Sequence, residues 1–238
     1  MLIGDADSVE LKSTLAPHEH RPALAALRLD PLAAQIRQVF FFDTPDLQLN
    51  QAGVVVRARR VSGREGDSVV KLRPVVPGEL PENIRRSVSV TVEVDAMPGG
   101  YVCSATMKSP QPNDRVHKAV HGELPIRKLF TKEQRAFYAA HAPEGLELDD
   151  LSVLGPVFVL KEVARPQDYG RRLVAELWLL PDGSRIVELS TKCPPAKALP
   201  VAAQSRTFLE GLGLTLAPDA HTKTKTTLEF FAGELTTG

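Results

Sequence analysis

The chain has 238 residues, 43% apolar and 24% charged, which are the proportions of a globular protein rather than a disordered one. Its 29 basic residues equal its 29 acidic ones, so bulk charge gives no case for non-specific binding to nucleic acid or to an anionic membrane. Cys103 and Cys193 fit neither a zinc pattern nor a disulfide framework, no run approaches the ~18 apolar residues of a membrane span, and the N-terminus lacks a basic start followed by an apolar core. The expectation is a cytoplasmic protein with no nucleic-acid or membrane partner, whose cationic sites, if any, come from local arrangement.

Along the chain, period-two alternation dominates. It predicts strands at 7–14, 38–43, 53–61, 67–74, 87–95, 101–108, 156–165, 171–180 and 185–192. The clearest is "SVSVTVEVD", Ser87 to Asp95, where valine alternates with Ser, Thr, Glu and Asp. Asp43, Thr44, Pro45 and Asp46 read as a tight turn. Pro98, Gly99 and Gly100 mark a hairpin, and Asp182–Gly183 marks another. Helices are fewer. A short one is predicted over 23–29, one opens on the capping box of Thr131 and Gln134, and one runs from Pro200 towards Gly213. Pro-rich stretches at 74–81 and 109–112 read as loops. Strands interspersed with a few helices indicate an α+β protein around one antiparallel sheet.

The ionic residues share parities along these strands. Glu10 goes with Lys12, Arg57 with Arg59, Lys71 with Arg73, Glu93 with Asp95, Lys161 with Arg165, Arg172 with Glu176, and Glu188 with Lys192. One reading is a solvated outer face, since antiparallel sheets commonly wet one side. The other is a sheet that curls with its polar face inward. Stripping an ion of water costs several kcal/mol, so such a bore must be wet and partly balanced by its own carboxylates, or filled by a polyanion. Arginine's planar fork suits phosphate oxygens, and a few carboxylates suit a hard divalent ion.

With those residues set out, the chain resembles the CYTH superfamily, the triphosphate tunnel metalloenzymes. "SVELK", Ser8 to Lys12, is similar to the family's ExExK strand; "FFDTPDLQLNQAGVVVRARR", Phe41 to Arg60, to its Asp-Thr-Pro turn and Arg-x-Arg strand; "VVKLRP" at 69–74 and "RIVELSTK" at 185–192 to its later strands. The resemblance implies one CYTH-like domain over 1–238 with a helical insertion around 109–155. Its core would be an eight-stranded antiparallel closed tunnel barrel with a few flanking helices. The insertion would either cover the tunnel mouth or make a homodimer contact.

The resemblance also implies roles. Lys12, Arg57, Arg59, Lys71 and Arg73 would grip phosphate, with Lys161, Arg172 and Lys192 on the opposite wall. Glu10, Glu93, Glu176 and Glu188 would hold Mg²⁺ or Mn²⁺, and Glu10 and Lys12 would serve catalysis. The implied activity is that of a divalent-metal-dependent phosphohydrolase acting on inorganic, thiamine or nucleoside triphosphate. An adenylate cyclase-type lyase in the same tunnel is the first rival. Ser8 stands where the first acid of the signature belongs, and Ser190 where a later one is expected, so a non-catalytic phosphate-binding module is the second.

Other features stay open or fall away. His18 with His20 and His117 with His121 lack a third ligand. Trp178, the single tryptophan, shares parity with Glu176 and either stacks on a ring at the tunnel mouth or packs in the core. "HTKTKTTLEFF" near the C-terminus, with Lys223 and Lys225, is either a solvated tail or a plug contributing a lysine to the tunnel.

Overall fold

The alternating segments form nine strands in the computed structural model, which describes residues 4–217 and 223–237. They are β1 (Ser8–Thr14), β2 (Gln35–Asp43), β3 (Val54–Val61), β4 (Arg64–Leu72), β5 (Val90–Met97), β6 (Gly100–Gln111), β7 (Ser152–Ala164), β8 (Leu173–Leu179) and β9 (Arg185–Cys193). They close into a barrel in the order β1-β5-β6-β4-β3-β2-β7-β8-β9, with β9 pairing back onto β1. Two expectations need correction: the barrel has nine strands rather than eight, and it is not wholly antiparallel. The two departures have one cause. Directions can alternate around a closed ring only if the strand number is even, so nine strands force a parallel neighbour. That seam is β1 with β5, which sets Ser8 beside Glu93 and Glu10 beside Asp95.

On β3, β4 and β6 the apolar parity faces outward and is covered. Val54, Val56 and Ala58 of β3, Val70 and Leu72 of β4, and Met107 of β6 join Val116, Leu129 and Phe137 in one buried cluster. The covering residues come from the stretch between β6 and β7, which carries the helices Asn113–Val120 and Lys132–Ala139. A second cluster packs Ala23 and Leu209 against Leu173, Val187 and Leu189. It draws on a short helix, His20–Ala26, and a longer one, Ala198–Gly211. This longer helix begins two residues ahead of Pro200, which therefore lies in the first turn, where its missing N–H costs nothing.

Local chemistry matches the sequence in several places. Asp43 ends β2, and its carboxylate accepts the backbone N–H groups of Thr44, Leu49 and Asn50 at 2.8–3.0 Å, fixing the turn into the short helix Gln48–Gln51. Gly53 then enters β3 with φ +74°, and a Cβ there would meet the carbonyl oxygen of Arg73 at 2.9 Å, so glycine is required twice over. The capping box forms as expected: Thr131 and Gln134 exchange side-chain and backbone bonds. Alternation over-reached at Ser87–Ser89, which form a turn, with the Val90 N–H donating to the Ser87 carbonyl and Val88 fully exposed.

The last helix, Lys223–Thr237, packs against one end of the bore, which Lys223, Thr224 and Lys225 help to line. Inside the barrel at that end Val39, Phe41, Val157, Val159 and Trp178 form an apolar cluster, and Leu228 of this helix completes it. Burying a leucine side chain contributes about 2 kcal/mol, enough to hold the helix in place. No described helix is long and apolar enough to cross a membrane.

Gln134 ties the helical cover to the barrel. It is fully buried, and its side-chain amide donates to the carbonyls of Ser68 and Met107, both at 3.1 Å. Replacing it with leucine leaves buried carbonyls unpaired and should cost about 2–3 kcal/mol. Urea unfolding of Gln134→Leu should show that loss as a lowered midpoint with an unchanged slope.

Candidate functional site: a charged bore

The polar parity of the strands points inward, around a cavity of about 370 Å³. Eleven lysine and arginine side chains line it against four glutamates, Glu10, Glu93, Glu176 and Glu188. Of the residues expected there, Glu10, Lys12, Arg57, Arg59, Lys71, Arg73, Glu93, Lys161, Glu176, Glu188 and Lys192 all line it. Arg172 does not: it precedes β8, lies exposed and offers its backbone carbonyl to the Thr191 hydroxyl. Its parity with Glu176 is real in sequence but runs past the strand's end.

Asp95 is the hub of one wall. Its side chain is fully buried, with Lys12 Nζ at 2.8 Å, Arg73 Nη1 at 3.2 Å and Lys71 Nζ at 3.6 Å. Burial opposes its charge, but Lys12 and Lys71 outweigh burial and bring its pKa down to about 2. Lys12 also meets Glu10 at 3.3 Å. Burial works against the Lys12 ammonium too, yet Asp95 and Glu10 hold its pKa above the usual lysine value. Asp67 is a second hub. It takes a two-pronged contact from Arg59, 2.8 Å and 2.6 Å, and lies 3.3 Å from Lys108. Its pKa is also about 2, burial being outweighed by the Arg59 contact.

Two cations lack such compensation. Arg57 has no ion pair, and its buried Nε has no hydrogen-bond partner among the described residues. Burial first, then neighbouring Arg59, lowers its pKa to about 9. Lys71 shares Asp95 with two other cations, and burial brings its pKa down to about 8. A buried, under-compensated cation is costly, so this stretch of wall favours an anion.

The acids fall into two groups. Glu10, Glu93 and Asp95 meet across the parallel seam, each offering an oxygen within 4.8 Å of the others. The two serines in place of expected acids orient this group: Ser8 Oγ donates to Glu93 at 3.1 Å and Ser190 Oγ to Glu10 at 2.9 Å. Glu93 also pairs with Lys192. The second group, Glu176 and Glu188, lies directly across β8–β9. Lys223, at the start of the last helix, bridges them, 2.6 Å from Glu188 and in contact with Glu176. The C-terminal segment is therefore a plug with a lysine rather than a solvated tail. Trp178 is buried; its Nε1 donates to Glu176 at 3.3 Å and its ring lies 5.1 Å from Lys223 Nζ.

Several contributors escaped the sequence reading. Asp95 and Lys108 carried the right parity without being assigned a role. Arg37, one residue ahead of the predicted second strand, lines the bore, bonds Gln35 at 2.8 Å and 3.2 Å and lies 3.9 Å from Glu176. Burial, and next the nearby Arg59, lower its pKa to about 10.

Compared by sequence, the chain matches no family model and no curated protein. Compared by structure, it is similar to a Hippeastrum protein described as a candidate adenylyl cyclase with a dominant triphosphatase activity. Identity is 16%, coverage 92% of this chain and 94% of that one, and the TM-score 0.67. It is also similar to a candidate adenylate cyclase from Bacillus halodurans, at 11% identity, coverage of 92% and 98%, and a TM-score of 0.61. At these identities the likeness establishes a shared fold over nearly the whole chain.

Asp95→Asn tests the hub. With a folded pKa near 2 against an ordinary 3.8, Asp95 contributes stability that is present above about pH 4 and lost as pH falls through 2. The variant should lose about 3 kcal/mol near neutrality, because three buried cations lose a shared partner. Its stability should also fall less steeply than that of the natural protein between pH 4 and 2 in denaturant titrations.

Proposed function

We propose that this chain, built on the tunnel fold of the CYTH superfamily, binds the phosphate tail of a triphosphate-containing small molecule in its bore and hydrolyses it with a divalent cation. The observation that carries the reading is the unbalanced stretch of wall at Arg57 and Lys71, inside a cavity where bases outnumber acids. A volume of about 370 Å³ lies in the range of small-ligand sites. The Hippeastrum neighbour's described triphosphatase activity supports the same chemistry.

Arg57 and Lys71, with Lys12 and Arg73 beside them, supply guanidinium and ammonium groups on adjoining strands, a repeat suited to successive phosphate groups. Arg59, held by Asp67, acts as a fixed part of the wall. Lys161 and Lys192 face the ligand from across the bore. Glu10, Glu93 and Asp95 are hard oxygen donors within 4.8 Å of one another, and an ion there would share them with Lys12, Lys71, Arg73 and Lys192. The three carboxylates fit a divalent ion such as Mg²⁺ or Mn²⁺, which would add positive charge and Lewis acidity at the terminal phosphoryl group. Burial opposes ionisation of Glu10, but Lys12, Lys223 and the Ser190 hydrogen bond together outweigh it and lower its pKa, so Glu10 orients water by accepting a hydrogen bond. Water adds to the terminal phosphorus, the bridging P–O bond breaks, and the shortened phosphate chain leaves neutralised by the basic wall.

A thermal-shift and product-release series tests this. Tripolyphosphate with Mg²⁺ should raise the melting temperature and release orthophosphate. Arg57→Ala with Lys71→Met should weaken binding by more than about 100-fold, since charge-assisted bonds contribute about 1.5–3 kcal/mol each. Stabilisation unchanged in that variant would place the ligand elsewhere; pyrophosphate released from ATP would mark a cyclase, and stabilisation without turnover a binding module.

The pH dependence has a defined sign. Bound anion favours protonated Lys71, so affinity is complete below its pKa of about 8 and falls as pH rises above it. Calorimetric titration of tripolyphosphate from pH 7 to 10 should show this decline, and Lys71→Arg should flatten it.

A further inference from the structure

The Glu176–Glu188 pair presents a puzzle of charge. The two residues are cross-strand partners on the inner face of β8 and β9, and like charges placed directly opposite one another repel. Both are nonetheless well buried, and the Lys223 ammonium touches each of them. A cation must therefore reside between the two carboxylates. Hard carboxylate oxygens placed like these also suit a divalent ion.

We infer that the place is filled by the protein itself: the Lys223 ammonium is the resident cation of the Glu176–Glu188 pair and excludes divalent metal from this side of the bore. The ammonium makes its three interactions at once, to Glu188 at 2.6 Å, to Glu176, and over the Trp178 ring at 5.1 Å from its centroid. The lysine is also anchored from behind. The Thr227 hydroxyl, fully buried, donates to the Lys223 carbonyl at 2.7 Å, and Leu228 is seated in the apolar cluster with Phe41 and Trp178. An ion could take this place only by displacing the Lys223 ammonium from both carboxylates and from the Trp178 ring. On the Glu176 Oε1 side, Lys161 at 3.3 Å and Arg37 at 3.9 Å leave no uncompensated charge. The donor set here therefore does not fit the metal expected at Glu176 and Glu188. The inference stands whether or not the bore's ligand is a triphosphate.

Mn²⁺ binding to the full chain without phosphate ligand, followed by the electron paramagnetic resonance of free Mn²⁺, decides it. The natural protein and Glu188→Gln should bind Mn²⁺ with the same affinity. Lys223→Gln should gain a Mn²⁺ site at least about tenfold tighter than anything the natural protein offers at this pair, and Lys223→Gln with Glu188→Gln should lose it again. A tenfold weakening of Mn²⁺ binding by Glu188→Gln alone would overturn the inference. So would a folded Lys223→Gln chain, judged by circular dichroism, that gains no site. If Lys223→Gln fails to fold, the comparison of the natural protein with Glu188→Gln still decides: equal affinity supports the inference, and loss overturns it.

Discussion

Charge brought indoors must be balanced, and the interior of this barrel is organised around that demand. Asp95 serves three cations, Asp67 serves two, and a single ammonium serves Glu176 and Glu188. Each arrangement offsets a desolvation cost of several kcal/mol per ion. What the protein leaves unbalanced is as informative as what it pairs. Arg57 and Lys71 have their charge opposed by burial without sufficient acid nearby. Negative charge placed there would offset a cost already present.

The architecture and the chemistry are linked at the parallel seam. Because nine strands cannot alternate around a ring, β1 and β5 run together, and their register places Glu10 next to Asp95 and Ser8 next to Glu93. The carboxylate cluster is thus a product of topology as much as of residue choice. The outer surface completes the arrangement: once helices cover the valines, the polar face has only the bore to occupy.

Alternation alone correctly grouped the side chains that share the bore. Arg57 with Arg59, Lys71 with Arg73, and Glu93 with Asp95 all face one way because side-chain parity is a property of the strand itself. Whether that way was inward was not legible from parity, since a wetted outer face has the same pattern. The decision rests on contacts far apart in the chain, such as Ser190 with Glu10 and Ser8 with Glu93. The family resemblance carried that step, although it implied eight strands where the periodic segments themselves numbered nine. Parity failed where strands stop, at Arg172 and at Val88. Nothing local to Glu176 and Glu188 reveals that a lysine from a distant helix lies between them.

The end packed by the last helix has a consequence for traffic. A pipe open at both ends lets a long polymer thread through and be processed along its length. With Leu228 of the final helix seated against Phe41 and Trp178, a polymer could thread past that end only by displacing it.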